Sequence, residues 1–270
     1  KNIDAVIIAS PTAFHFDHIK IAAREGKHIF CEKPIDLSYE KVEMVRELID
    51  KSGIQFMVGF NRRFDPHINQ LKSAYDNGQV GNARILKITS RDPKPPSLDF
   101  VKNSGGLFLD MTIHDFDMAR YIVDDEVIQV TSNGNIFGDL QLKEYDDIDT
   151  AVITLIFKKG CMVQIDNSRY CAYGYDQRIE VFGENGRLTT NNILENYVQI
   201  SDSSGHLAAR AKYFFIERYV ESYKNILVNY VQNLLENKPS SVTVEDGLAA
   251  LSIAIAAKKS LLKNQPITNI

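Results

Sequence analysis

The chain has 270 residues, of which 44% are hydrophobic and 24% charged, and its formal net charge at pH 7 is −4. These values are typical of a globular chain large enough for two domains, and they give no electrostatic indication of a nucleic-acid partner. No apolar stretch has the length of a membrane span and no signal peptide is recognisable, so we expect no membrane partner. Cys31, Cys161 and Cys171 lack CxxC spacing, which indicates neither a disulfide framework nor a zinc site and favours the cytoplasm.

The first elements in chain order alternate between short buried strands and helices. An apolar, β-branched run at 4–10 predicts a parallel-type strand, and the helix that follows ends at Gly26. A second strand is predicted at 28–31, a helix with a serine N-cap at 38–52, and a third strand at 55–60. Strand and helix alternation of this kind is typical of one half of a doubly wound, Rossmann-type dinucleotide-binding domain.

The glycine-rich phosphate loop of that fold does not occur, because the 270 residues contain no G-x-G-x-x-G. Since a doubly wound domain is normally built from two halves, we expect the first half to be missing from this chain. The sheet would then be poorly covered, with Val6, Ile8, Ile29 and Val58 partly exposed. We also expect the 270 residues alone to bind NAD weakly or not at all, and therefore to be inactive by themselves.

After residue 82 the pattern changes to β-rich segments separated by turn signals. The predicted strands lie at 84–90, 127–133, 150–157, 161–168, 178–182 and 197–201. A helix at 110–123 is the only early interruption that we predict, and helices return at 214–236 and 247–262, the last with Thr243 as a cap through Asp246. The predicted fold class is α/β plus α+β: a partial Rossmann-type parallel sheet followed by a large, mostly antiparallel open-sheet domain.

The predicted domain organisation has three parts. Residues 1–60 form the carboxyl-terminal half of a dinucleotide-binding domain, and residues 61–241 form an α+β domain for substrate binding and oligomerisation. Residues 242–270 form a carboxyl-terminal helix and tail that pack back on the Rossmann part.

The most informative segment runs from Gly105 to Arg120, where two glycines lead into a helix. Asp110, His114 and Asp117 follow at spacings of four and three, which predicts that they share one helix face. A histidine beside a carboxylate on a rigid helix suits proton transfer at a sugar-like hydroxyl. The alternative is that Asp110 and His114 form an ordinary surface pair worth about 0.2–0.5 kcal/mol to the helix, and that Asp117 pairs with Arg120.

A metal ion is the main rival explanation for this cluster. Asp110, His114 and Asp117 could ligate zinc or manganese. However, no H-E-x-x-H or two-histidine-one-carboxylate pattern accompanies them, and we expect no metal.

Two motifs in order carry a resemblance to a known family. Glu32-Lys33-Pro34 follows a predicted buried strand, and Gly105-Gly106 precedes Asp110 and His114. In these motifs, and in the sequences of residues 59–66, 110–117 and 173–178, the chain resembles the glucose–fructose oxidoreductase/inositol dehydrogenase family, and within it the inositol 2-dehydrogenase branch.

The resemblance implies an NAD(P)-dependent oxidation of a secondary hydroxyl in a cyclic polyol or sugar, with myo-inositol converted to 2-keto-inositol as the expected reaction. His114 would be the base, because an imidazole titrates near neutral pH. Asp110 would hold that imidazole or bind a neighbouring hydroxyl, and Lys33 would donate to the reacting oxygen. The peptide bond before Pro34 would be cis.

The remaining implied contacts concern cofactor and substrate. The cofactor would lie against Ser10, Pro11, Thr12, His15, Glu32, Lys33 and Pro34, although a packed or surface role also suits His15. The substrate would contact Arg63, Asp117 and Tyr173, with the neighbours Arg62 and Tyr175 leaving the choice of arginine and tyrosine open. NAD is the expected cofactor, with NADP left open.

The resemblance also implies homodimers or homotetramers formed through the large sheet. The alternative function is a non-catalytic, sugar-binding or oligomer-forming fragment that lacks the cofactor loop.

Overall fold

The structure is a computed structural model that describes residues 2–268 and 270. Its first sheet has three parallel strands in the order β1-β2-β3, and two helices connect them. The elements are β1 (Ala5–Ile8), α1 (His15–Arg24), β2 (His28–Cys31), α2 (Tyr39–Ser52) and β3 (Phe56–Val58). This arrangement confirms the predicted partial Rossmann-type sheet.

The predicted exposure of this sheet is wrong at three of four positions. Val6 is half-buried, but Ile8, Ile29 and Val58 are only 6%, 0% and 0% exposed. The reason is that α1 packs on β1 and β2, while the last helix of the chain packs on β3. Ile7, which points to the other side of β1, is 59% exposed.

The second sheet has seven strands in the order β12-β5-β6-β7-β4-β8-β9. Its strands are β4 (Ala83–Arg91), β5 (Val127–Asn135), β6 (Thr150–Phe157), β7 (Met162–Ser168), β8 (Asp176–Gly183), β9 (Arg187–Thr190) and β12 (Ile267–Thr268). All neighbours are antiparallel except β4 and β7, which are parallel. The predicted mostly antiparallel sheet is therefore confirmed, whereas the strand predicted at 197–201 belongs to a separate hairpin of β10 (Gln199–Asp202) and β11 (Gly205–Ala208).

The structure adds helices that the sequence pattern did not predict. They are α3 (Pro66–Asp76) and α4 (Leu98–Ser104), and each begins at a side-chain cap. The Asp65 carboxylate accepts hydrogen bonds from two backbone N–H groups at the start of α3, and Ser97 accepts one at the start of α4. Helix α4 has only 7 residues, whereas α3 has 11 and buries Ile68, Leu71 and Ala74 at a helical spacing that the prediction missed.

The next helix is α5 (Ile113–Val123). The predicted helix at 214–236 is divided into α6 (Phe215–Arg218) and α7 (Val220–Leu235). The last helix is α8 (Val244–Lys263), and it begins at the predicted Thr243 cap, where Thr243 and Asp246 form a reciprocal capping box. In the described part of the chain, no helix has both the length and the apolar character needed to cross a membrane.

Helix α8 joins the two sheets. It packs against α2 and β3 on the side of the parallel sheet, and against α5 and β5 on the side of the large sheet. Between β5 and α8, the Ser132 hydroxyl donates to the Ala257 carbonyl at 2.6 Å. The division of the chain into 1–60, 61–241 and 242–270 stays a prediction.

Candidate active site

A cavity of about 670 Å³ lies where the ends of several strands meet. Part of its lining is charged or polar and comes from turns that follow strands or from one helical segment: Lys33, Arg62, Asp92, Asp110, His114 and Arg169. Much of the remaining lining is apolar or aromatic, with Pro95, Phe100, Phe214, Phe215, Tyr219 and Tyr223. The cavity therefore combines charged groups with apolar and aromatic ones.

The turn before the predicted catalytic helix requires glycine. Gly105 and Gly106 both have a φ of +81°, a left-handed backbone conformation that residues with a Cβ atom rarely adopt. A Cβ on Gly106 would also lie 2.5 Å from the Asp147 carboxylate, which accepts a hydrogen bond from the Leu107 N–H at 2.8 Å. This turn directs the chain into a π-helical segment, Phe108–Thr112, that continues into α5.

Asp110 lies in that π-helical segment and accepts hydrogen bonds from two cationic side chains. Lys33 Nζ donates to the Asp110 carbonyl at 2.6 Å and to its carboxylate at 3.2 Å, and Arg169 Nη2 donates to the other carboxylate oxygen at 3.1 Å. Burial alone would raise the pKa of Asp110, but Lys33 and Arg169 outweigh it and the pKa lies below its usual value. Asp110 is therefore an ionised group that holds Lys33 in the cavity.

His114 lies on the cavity wall one turn further along. Its ring meets the edge of Phe60 at 6.0 Å between centroids, and its Nδ1 atom is buried with no hydrogen-bond partner among the described residues. The predicted support of the imidazole by Asp110 is therefore not seen; the π-helical segment contains a wider turn than the α-helix assumed in that prediction. Burial, followed by the charges of Lys33 and Arg62, lowers the pKa of His114 well below its usual value, so the imidazole is neutral near pH 7.

The predicted contacts Arg63 and Asp117 do not line the cavity. Arg63 donates to the Asp117 carboxylate at 3.0 and 2.6 Å and to Asp246 at 2.9 Å, which places this pair against α8. The neighbouring Arg62 lines the cavity instead. Residues Asn61–Phe64 form a 3-10 turn, in which successive side chains point about 120° apart, so two adjacent arginines face different directions.

The predicted tyrosine contact changes in the same way. Tyr173 is 53% exposed and outside the cavity, where its hydroxyl donates to Asp176 at 2.6 Å and accepts from Arg91 at 3.0 Å. Tyr175 is buried and lines the cavity. Of the two neighbouring pairs, Arg62 and Tyr175 are the members that line the cavity, and the substrate contacts themselves stay a prediction.

The predicted cofactor contacts lie at the carboxyl ends of β1 and β2. Ser10, Pro11 and Thr12 follow β1, and Glu32, Lys33 and Pro34 follow β2, with a cis bond between Lys33 and Pro34 as the resemblance implied. His15 is buried, and its two ring nitrogens lie 2.7 Å from the Ser10 carbonyl and 2.8 Å from the Pro34 carbonyl. His15 therefore ties the two loops together, and its cofactor contact stays a prediction.

This edge of the parallel sheet fits a dinucleotide. Ligands of doubly wound sheets bind at the carboxyl ends of the strands, where these loops lie. A Cβ on Gly59 would come within 2.7 Å of the Glu32 carboxylate, so the glycine lets that side chain lie against β3. Asn61 directly follows this strand region, lines the cavity, and has a buried amide nitrogen with no partner among the described residues, as expected of a group that bonds a ligand.

Three charged residues of the cavity, Asp92, Lys94 and Arg169, were not predicted. Asp92 and Arg169 follow β4 and β7, and because those strands pair in parallel with Arg91 opposite Ser168, their ends coincide. Burial raises the pKa of Asp92 to about 6, against the opposing charges of Arg169 and Arg62. The available signal was their position directly after predicted strands.

The alternative of a metal site requires clustered ligand side chains. Within residues 2–268 and 270, no group of three or more His, Cys, Asp or Glu side chains is arranged to hold an ion. The Asp117 carboxylate, one of the three candidate ligands, is bound by Arg63.

Comparison with known proteins identifies both parts of the chain. Residues 1–60 match the model described as "Oxidoreductase family, NAD-binding Rossmann fold", and residues 68–189 match the GFO/IDH/MocA C-terminal domain. The chain is 46% identical to myo-inositol 2-dehydrogenase of Thermotoga maritima, over 98% of this chain and 80% of that protein.

Solved structures agree. A myo-inositol dehydrogenase from Corynebacterium glutamicum matches with a TM-score of 0.95 and 39% identity, and the match covers 100% of this chain and 81% of that one. A scyllo-inositol dehydrogenase from Lactobacillus casei, solved with bound NAD(H) and scyllo-inositol, has a TM-score of 0.91 at 32% identity, covering 99% and 80%. The chain therefore belongs to the GFO/IDH/MocA family of NAD-dependent oxidoreductases, as its motifs predicted.

Proposed function

We propose that this protein is an inositol 2-dehydrogenase that oxidises a secondary hydroxyl of myo-inositol to 2-keto-inositol with NAD⁺. The observation that carries the proposal is the convergence of Lys33, Asp110 and His114 in one cavity, with a neutral buried imidazole. The inositol dehydrogenases among its relatives support the same substrate class. A non-catalytic sugar-binding fragment is not favoured.

His114 is the base in this proposal. Because Nδ1 is buried, Nε2 is the nitrogen that meets the substrate and takes the hydroxyl proton. The low pKa of His114 keeps that nitrogen free to accept a proton at neutral pH. NAD⁺, when bound, supplies the acceptor for the hydride that leaves the same carbon.

Lys33 stabilises the oxygen that loses its proton. An ammonium group has three N–H donors, and Asp110 accepts two of them at 2.6 and 3.2 Å. The third donor remains for the substrate oxygen, on which negative charge develops. Asp110 and Arg169 fix the direction of that donor.

The other hydroxyls of the ring need several convergent donors and acceptors. Arg62, Arg169 and Tyr175 supply donors on the cavity wall, and Asp92 supplies a carboxylate acceptor. These residues take the substrate-binding role that the sequence pattern had suggested for Arg63, Asp117 and Tyr173.

Assembly through the large sheet and a cytoplasmic location stay part of the proposal. Ile156, Met162, Ile85 and Phe182 form a cross-strand apolar row on the outer face of that sheet, with Met162 and Phe182 48% and 43% exposed. Such a row suits contact with a second copy of the chain. The three cysteines are free, as expected in a reducing compartment.

The proposed activity is tested by following NADH formation with myo-inositol, scyllo-inositol and a panel of other polyols. His114→Ala should lower kcat by about 10²–10⁴-fold without changing NAD⁺ affinity. His206→Ala, in the exposed β10–β11 hairpin, is the matched control and should behave as wild type. NAD⁺ binding is measured first, because the 270 residues are expected to bind it weakly. Absence of NADH formation with every inositol in protein that has NAD⁺ bound, or full turnover in His114→Ala, would refute the proposal.

A further inference from the structure

Asp115 adjoins the proposed base in sequence but faces away from the cavity. It is 0% exposed, although it lies on α5 directly after His114. Successive residues of an α-helix point about 100° apart, so one side chain faces the cavity and the next faces the large sheet. A fully buried carboxylate in this position requires hydrogen-bonding partners.

Both carboxylate oxygens of Asp115 are used within the protein. Arg62 Nη1 donates to one oxygen at 2.6 Å, and Asn167 Nδ2 donates to the other at 2.9 Å. Asn167 in turn accepts a hydrogen bond from the Thr112 hydroxyl at 2.6 Å. The carboxylate is therefore satisfied by protein groups and takes no direct part in ligand binding.

Arg62 is the only one of these groups in the cavity wall as the structure describes it. Its side chain is 6% exposed and packs against the Tyr219 ring at 5.7 Å. Its other protein contacts are long, at 3.4 Å to Ser90 and to the Tyr175 hydroxyl. The short bond to Asp115 is thus the contact that fixes the guanidinium.

We propose that Asp115 is a positioning residue for substrate binding: its carboxylate orients the Arg62 guanidinium so that the one donor left over faces a hydroxyl of the polyol. A guanidinium has five N–H donors, and the Nε–H of Arg62 has no hydrogen-bond partner among the described residues. Because Asp115 and His114 are consecutive on α5, the same helix sets both the base and the substrate-binding arginine. This inference rests on the proposed function.

The test is a double-mutant cycle with steady-state kinetics on myo-inositol. Asp115→Asn keeps the shape of the side chain and removes its charge, so KM should rise about tenfold or more. kcat at saturation should stay within about threefold, because the lost contact serves ground state and transition state alike. NAD⁺ affinity should not change.

A purely structural role would give additive effects, whereas action through Arg62 would not. In the Arg62→Met background, Asp115→Asn should therefore add little to KM. Asp166→Asn, which breaks a 2.6 Å bond to Arg91 on the large sheet outside the cavity, is the matched control and should leave KM unchanged.

Thr112→Val provides a second variant if Asp115→Asn fails to fold. It removes the last bond of the same chain of contacts and should raise KM in the same direction by a smaller factor. Unchanged KM in a folded Asp115→Asn enzyme, or additive effects with Arg62→Met, would overturn the inference while leaving the proposed function intact. If wild type oxidises no inositol, calorimetric binding of myo-inositol to the NAD⁺-bound protein applies the same comparison separately.

Discussion

Replacing Lys33 by methionine tests the electrostatics of the cavity most directly. The change keeps most of the side-chain length and removes the ammonium that donates to Asp110 at 2.6 and 3.2 Å. Arg169 still binds the second oxygen of Asp110 at 3.1 Å, so the carboxylate is not left without a cation. The variant therefore separates the role of Lys33 in catalysis from a general collapse of the site.

The expected magnitudes follow from these contacts. Loss of one donor to the developing oxyanion should lower kcat by about 10²–10³-fold. The two side chains of the Lys33–Asp110 pair are 16% and 19% exposed. Because Arg169 remains, the free energy of unfolding should fall by about 1–2 kcal/mol rather than by the 3–5 kcal/mol or so of a buried charge that loses its only partner.

The same variant has a pH signature with a definite sign. After burial, the charge of Lys33 is the largest cause that lowers the pKa of His114. Removing it raises that pKa. Since the imidazole must be neutral to accept the proton, the rate falls as pH falls through the pKa of His114. The acid limb of the rate profile should thus move to higher pH in Lys33→Met.

The assay is kcat/KM and kcat for myo-inositol across pH 5–9 or so, combined with urea unfolding. Lys41→Met is the matched control, because Lys41 pairs with Asp36 at 3.3 Å but is 47% exposed and lies outside the cavity. It should change neither limb of the profile. A folded Lys33→Met enzyme with wild-type kcat, or with an acid limb at lower pH, would refute the reasoning.

Three further changes test other parts of the structure. Burial raises the pKa of Asp92 to about 6, so the ionised carboxylate lowers the stability of the folded protein at higher pH. Asp92→Asn should therefore increase the free energy of unfolding in urea by about 2–3 kcal/mol at pH 8, and most of this gain should be lost at pH 4. An equal gain at both pH values would contradict this reasoning. Arg63→Met leaves Asp117 buried without its guanidinium, so it should cost about 3–5 kcal/mol in the same assay with little change in KM; a large KM increase would place the pair at the substrate. Gly106→Ala places a Cβ 2.5 Å from Asp147 at a φ of +81° and should lower the Tm measurably, whereas a wild-type Tm would show that the turn can adjust.

Local sequence patterns predicted most of the framework. Short β-branched runs predicted the three parallel strands, and alternating segments predicted five strands of the large sheet, because both patterns report which side of a strand is buried. Two motifs predicted Lys33, Asp110 and His114, and the structure brings all three to one cavity. Helix α4 escaped prediction because its 7 residues are too few for a clear apolar period, whereas α3 was missed although Ile68, Leu71 and Ala74 follow a helical spacing.

The choice between neighbouring residues depended on the tertiary structure. Arg62 and Arg63 are chemically identical in sequence, and only the 3-10 turn at Asn61–Phe64 directs the first to the cavity and the second to α8. Asp115 lies beside the proposed base in sequence, yet its partners Arg62 and Asn167 come from a distant turn and a distant strand. Such pairings are long-range, so no local period encodes them.

The sequence by itself thus determined most of the elements, the family and the three residues proposed for catalysis, because buried faces and short motifs are local properties. The tertiary structure alone decided which charges meet. It placed Asp110 on Lys33 and Arg169 instead of on His114, and it joined Asp92 to the site through the parallel pairing of β4 and β7. Those outcomes depend on backbone dihedral angles at a π-helical turn and on strand register across the sheet, which a pattern of residue types does not specify.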